Sequence, residues 1–250
     1  TEVRLKETHC EPSIIKSFKT ASIILEDNTN TSKTTSVYEK MKLRLIYPDI
    51  PFWRAETSRI ALFIGGIEFE DVRPPRPELM KMKTDGTFPF GQFPILQIDG
   101  KTLAQTGAIA RFCGKLSGLY PVGNDFASAK IDEAIDLATD ITHKMGPALR
   151  ENDTEKRRQL RSELTATILP RWLGFLEQLL KENGDSGYFV SNSLTVADLA
   201  VWSMCRWISG GIIDGLSTTI LEAFPRLSAH QQKISDFPKV REWMTRYEKE

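Results

Sequence analysis

From Lys42 to Tyr47 the chain alternates polar and apolar positions, "KLRLIY", the two-residue period of a half-buried strand that ends on a tyrosine. A turn-rich "PDIP" follows, and then "FWRAETSRIALFIGG" sets Ala55, Ile60, Phe63 and Ile64 at helical spacing before a Gly-Gly stop. "IEFEDVR" predicts a second short strand, and the proline-broken "PPRPELMKMKTDGTFPFG" leaves room for one irregular helix. "FPILQID" and "KTLAQ" flank an Asp-Gly pair, which supplies the positive φ of a tight hairpin, and "TGAIARFCGKL" returns to helical spacing. The predicted order is β-α-β-loop-β-β-α, a small mixed sheet.

After "GLYPVGND" the pattern changes to long helical periods with no strand run. Ile131, Ile135, Ala138 and Met145 mark one helix after Asp125. Leu160, Leu164, Ile168, Trp172, Leu176 and Leu179 mark a second, from Asp153 to an Asn183-Gly184 stop, with a kink expected at Pro170. "SLTVADLAVWSMCRW" carries a complete start signal: Thr195 as N-cap, Asp198 three residues on to return the cap, and Leu194 against Leu199 as a staple. Capping accounts for both polar side chains, so Asp198 is read as structural and not as a buried catalytic acid.

Residues 1–40 read differently. Ser and Thr are dense, a polar "EDNTNTSKTTS" closes the segment, and apolar residues are confined to Ile14–Leu25, where Ile14, Phe18 and Leu25 permit a helix and "SIIL" a strand. We treat the segment as an extension, either a solvated tail or a docking segment. The expected organisation is an extension over 1–40, a mixed α/β domain over 41–119 and an all-helical domain over 120–250.

Composition narrows the partners. The 33 basic and 33 acidic residues give a formal net charge of zero, which removes the general attraction to nucleic acid or an anionic membrane. No apolar run is long enough to span a bilayer. Cys10, Cys113 and Cys205 are scattered and form no C-x-x-C, so a reducing intracellular compartment is expected, without disulfides. That compartment is the cytoplasm, or an organelle after removal of an upstream targeting segment. His9, His143 and His230 are equally dispersed, and no metal is expected.

Four stretches in order, "LRLIYPDIPFWRAETSRI", "FPFGQFPILQIDGKTLAQTGAIARF", "GYFVSNSLTVADLAVW" and "FPRLSAHQQKISDFPKVREWM", carry a resemblance over residues 42–248. The chain resembles the cytosolic glutathione transferase family, and within it the sigma class that includes haematopoietic-type prostaglandin D synthases. The resemblance implies a thioredoxin-like N-terminal domain followed by an all-helical C-terminal domain, with glutathione as co-substrate and a homodimeric assembly. The implied reaction conjugates the glutathione thiolate to small apolar electrophiles or reduces hydroperoxides. A prostaglandin-type isomerase and a non-catalytic assembly subunit, docked on a larger protein through residues 1–40, are the alternatives.

The family pattern assigns roles to single positions. Pro94 is the cis proline, and Phe93 before it would offer its backbone N–H and C=O to the cysteinyl part of glutathione, as in strand pairing. Gln105 and Thr106 would receive the γ-glutamyl carboxylate at a helix N-terminus, although the pair also reads as a plain helix cap. Tyr47 would donate to the sulfur. A free thiol has a pKa of about 8.5, so it is mostly protonated at neutral pH, while the thiolate is the nucleophile. "YPDIPFWRAE" holds no cysteine, which argues against thiol exchange through a protein nucleophile. Arg54 would support the tyrosine and thiolate electrostatically. Lys81 or Lys83, with Gln92, would meet the glycyl end, where the family's usual tryptophan is missing. Asp140 would reach across a two-fold axis to the partner's ligand, or stand solvated on its helix. Three features depart from the sigma class: Pro48 directly after Tyr47, a Tyr47–Arg54 loop one residue longer, and an insertion around Asp85-Gly86.

Overall fold

The computed structural model describes residues 41–50 and 52–247. The expectations for residues 1–40, including Ile14–Leu25, His9 and Cys10, lie outside the described residues. Met41 to Glu250 form one compact unit. Among the described residues no helix is long and apolar enough to cross a membrane.

The alternating "LRLI" forms β1 (Leu43–Ile46), whose Leu43, Leu45 and Ile46 are buried. Helix α1 (Trp53–Ile64) leads to β2 (Glu70–Val72), and α2 (Arg76–Thr84) to the hairpin of β3 (Ile95–Ile98) and β4 (Lys101–Ala104). The sheet order is β2-β1-β3-β4: β1 runs parallel to β2 and antiparallel to β3, with Leu45 opposite Leu96 and Ile46 opposite Ile95. The Asp-Gly pair makes the expected turn, with φ of 48° at Asp99 and 82° at Gly100. Helix α3 (Thr106–Leu116) then leaves the end of β4. The irregular connection of the sequence reading contains α2, pinned to the sheet by Leu79, which packs with Ile46, Phe88 and Ile95.

Six further α-helices follow among the described residues: α4 (Asp125–Arg150), α5 (Thr154–Glu163), α6 (Leu169–Glu182), α7 (Val196–Ser209), α8 (Pro225–Ser235) and α9 (Pro238–Tyr247). Ile131, Ile135, Ala138 and Met145 all face the core from α4. The single kinked helix expected over Asp153–Asn183 is instead α5 and α6, joined by a π-turn at Leu164–Ile168. Pro170 sits in the first turn of α6. Its ring crowds the carbonyl four residues back and it has no N–H to donate, so the preceding turn widens into the π-turn.

Helix α1 is buried on nearly every side. Trp53, Ile60, Ala61 and Leu62 join Leu45, Ile109, Ile131 and Trp202 in one core shared by sheet and helices. Full burial of a side chain such as Ile60 contributes about 1.5–3 kcal/mol. Trp53 also donates from Nε1 to Thr142 Oγ1 at 2.8 Å, which ties α1 to α4. Two charged residues of α1 are matched internally: the fully buried Arg59 pairs with Glu56 at 3.3 Å and Asp71 at 3.0 Å, and Trp243 of α9 donates to Glu56. These contacts hold α1 rigidly beneath the residues that border a large cavity.

Candidate functional site

That cavity, of about 900 Å³, lies where β1, the β3 entry and α3 meet residues of α4 and α7. Tyr47 enters it from the end of β1. Its N–H continues the strand ladder to Val72 O at 3.0 Å, its ring meets Phe93 edge-on at 5.4 Å, and the Arg59 guanidinium lies 5.8 Å from the ring centre. Strand, aromatic edge and buried cation therefore fix the phenol, which is only 2% exposed. Its hydroxyl has no hydrogen-bond partner among the described residues. Burial pushes its pKa well above the usual tyrosine value, with Arg54 and Arg59 opposing the shift. Tyr47 is thus a neutral donor throughout the physiological range.

The loop from Tyr47 to Arg54 is compacted by two successive i→i+2 hydrogen bonds, Ile50 N–H to Pro48 O and Phe52 N–H to Ile50 O, both 2.8 Å. Its added length does not remove Arg54 from the cavity. The Arg54 guanidinium stands 3.5 Å from Thr106 Oγ1 and 5.8 Å from the Phe52 and Trp53 rings. Burial lowers its pKa first, Tyr47 acts against that shift, and the nearby Arg150 cation adds to it. The insertion is also contained: Asp85 accepts from Thr87 N–H at 3.0 Å and Thr87 O–H at 2.6 Å, an exposed turn that closes α2 outside the cavity.

The Phe93–Pro94 peptide is cis. Phe93 lines the cavity just before β3, and its backbone N–H and C=O make no hydrogen bond among the described residues, in contrast to the paired residues from Ile95 onward. Opposite the start of β3, Ala104 pairs with Ile95 and delivers Gln105 and Thr106 to the rim. Gln105 has φ 76° and ψ 121°, a backbone conformation that costs a non-glycine residue about 1–3 kcal/mol and is held by the strand before it and the helix after it. Thr106, 5% exposed, begins α3, whose first N–H groups have no intrahelical acceptor and favour an anion.

Of the residues singled out from sequence, Tyr47, Arg54, Gln92, Phe93, Pro94, Gln105 and Thr106 share this cavity. Lys81 and Asp140 do not line it. Lys81 is exposed on α2, while Lys83, two residues on, places its Nζ 5.0 Å from the Phe93 ring centre. Asp140 is exposed on α4, where it lines a second groove. The sequence reading missed His143, Arg150, Trp207 and Ile212, which complete the wall contributed by the helical elements, with Phe52 packed 4.6 Å from the Trp207 ring. Among the described residues, no acidic side chain lines the cavity. It can bind an extended, anionic peptide along Phe93 and the α3 N-terminus, and it presents a phenol O–H next to an apolar chamber.

Comparison with known proteins gives two family matches: "Glutathione S-transferase, N-terminal domain" over residues 43–114 and "Glutathione S-transferase, C-terminal domain" over residues 139–246. Glutathione S-transferase 3 of Caenorhabditis elegans is 31% identical over 198 residues, covering 77% of this chain and 90% of that protein. A glutathione S-transferase of Plasmodium falciparum is 32% identical over 207 residues, covering 77% and 90%. The solved structure of prostaglandin synthase D from Nilaparvata lugens superposes with a TM-score of 0.72 at 27% identity, over 82% of this chain and 97% of that one.

Proposed function

The chain belongs to the glutathione S-transferase family, and we propose that it holds glutathione extended from the α3 N-terminus to Phe93, with the thiol at Tyr47. It is a transferase whose reaction joins the glutathione thiolate to small apolar electrophiles or reduces hydroperoxides. In this reading the γ-glutamyl carboxylate meets Thr106 and the first N–H groups of α3, while the cysteinyl backbone pairs with Phe93. Gln92 meets the glycyl end. The cation there, read from sequence as Lys81 or Lys83, is better supplied by Lys83, which lies over the Phe93 ring.

The reaction follows from the charges. Tyr47 donates its O–H to the sulfur and Arg54 adds a nearby positive charge, so the bound thiol loses its proton to solvent more readily than free glutathione. The thiolate then attacks the electrophilic carbon; with an aryl halide the C–S bond forms, the carbon–halogen bond breaks, and halide leaves. No protein nucleophile is involved. We further assign the chain to the sigma class, with detoxification of electrophiles in the cytoplasm as its role. The active unit would be a homodimer in which Asp140 contacts the ligand of the second subunit.

One observation carries this reading: the strand-end phenol and the N-terminus of α3 open into the same cavity, free of carboxylates among the described residues. Retention on immobilised glutathione, together with conjugation of 1-chloro-2,4-dinitrobenzene, tests it. Thr106→Ala is expected to raise KM for glutathione about tenfold with a much smaller effect on kcat, because a charge-assisted contact to the bound peptide is worth about 1.5–3 kcal/mol. A protein that neither binds the resin nor forms the conjugate overturns the reading.

A further inference from the structure

We propose that Arg150, backed by His143, selects apolar electrophiles that carry a carboxylate; this rests on the transferase reading above. The two residues lie seven apart on α4, hence on one face, and both line the cavity beside Phe52, Trp207 and Ile212. Arg150 has no hydrogen bond or ion pair among the described residues. The neighbouring Glu151 is committed elsewhere, to Lys156 at 2.8 Å.

A basic residue in the last turn of a helix ordinarily lies by the free carbonyls there. Arg150 instead folds back over Gly146: a Cβ on that glycine would stand 2.5 Å from Arg150 Nη2 and 3.1 Å from Cζ. The missing side chain at 146 is what gives the guanidinium its seat. Glutathione brings its own anions to Thr106, Arg54 and Tyr47, so the Arg150 charge, next to the apolar wall, is left for the second substrate. A compound with a flat apolar body against Trp207 and a carboxylate toward Arg150 matches both features.

A matched pair of acceptors tests this, 4-chloro-3-nitrobenzoate and the neutral 4-chloro-3-nitrobenzamide, each rate divided by its uncatalysed rate. In both, the thiolate attacks the carbon bearing chlorine and chloride is expelled. Arg150→Gln is expected to lower kcat/KM for the benzoate about tenfold and to change the amide less than twofold, while Arg150→Lys keeps most of the benzoate rate. Gly146→Ala, which leaves the arginine in place but takes its seat, is expected to lose the same preference. KM for glutathione stays within twofold throughout. Equal losses on both acceptors, or a loss carried by KM for glutathione, overturn the assignment while leaving the transferase reading intact. A wild-type protein that turns over neither compound, nor 1-chloro-2,4-dinitrobenzene, fails the transferase reading itself.

Discussion

Tyr47→Phe is expected to cut turnover of 1-chloro-2,4-dinitrobenzene about a hundredfold while the protein is still retained on immobilised glutathione. The substitution removes one oxygen from a ring whose position is set by other groups: the ladder bond to Val72, the edge of Phe93 and the Arg59 cation beneath. The cavity and the peptide-binding edge therefore persist. What is lost is a donor that favours the thiolate, and a shift of about two pKa units corresponds to about 2.7 kcal/mol. The pH profile separates this from a general loss of fit. A thiol with a depressed pKa is anionic above that value, so kcat/KM rises with pH through the bound thiol's pKa and then levels. Without the phenol, that rising limb moves up by about two units, toward the free-thiol value of about 8.5. Tyr47 itself does not titrate there, because burial holds its pKa far above this range. A Phe variant that keeps more than half of the wild-type turnover, with the limb unmoved, assigns thiolate activation to Arg54 alone.

The half of the site contributed by the sheet is legible in sequence because its signals are local. Asp99-Gly100 specifies the hairpin turn, the hairpin places Gln105-Thr106 at the start of α3, and β1 ends on Tyr47, all within short stretches whose periods change abruptly. The helical half is not legible in this way. In α4 the apolar period reports the buried face carrying Ile131, Ile135, Ala138 and Met145, whereas His143 and Arg150 occupy its rim. Whether a rim residue meets solvent or a cavity depends on how α4 docks beside α1 and α7, which no local period encodes. Helical geometry also explains Lys81 and Lys83: two positions on a helix differ by about 200°, so composition alone cannot choose between them. The π-turn at Leu164–Ile168 was hidden because the apolar spacing of Leu160, Leu164 and Ile168 continues through it. Asp198, in contrast, was legible as a cap from Thr195 and Leu194 alone, but its further partners were not.

Those partners make Asp198→Ala the substitution with the largest expected cost to stability, about 3–5 kcal/mol, read as a downward shift of the urea midpoint by more than 1 M at a typical slope of 1–3 kcal/mol per M. The carboxylate is fully buried. Oδ2 accepts from Thr195 N–H and Thr195 O–H, both at 2.8 Å, and Oδ1 accepts from Phe189 N–H at 2.8 Å. His230 Nε2 lies 3.1 Å from Oδ1, and since a carboxylate only accepts, that nitrogen carries the hydrogen. Truncation to alanine leaves four donors without their acceptor in an interior closed to water, each at about 1–3 kcal/mol before relaxation. It also removes the carboxylate half of the capping box that starts α7, whose Leu199, Trp202 and Met204 are core residues. Asn at 198 retains one accepting oxygen of the two and is expected to lose roughly half as much, which separates lost hydrogen bonds from lost volume. Turnover per folded molecule should be unaffected in both variants, because Asp198 does not line the cavity. An unchanged urea midpoint for Asp198→Ala would show that α7 is held by packing alone, whereas a fall in kcat of the folded fraction would give this aspartate a part in the chemistry.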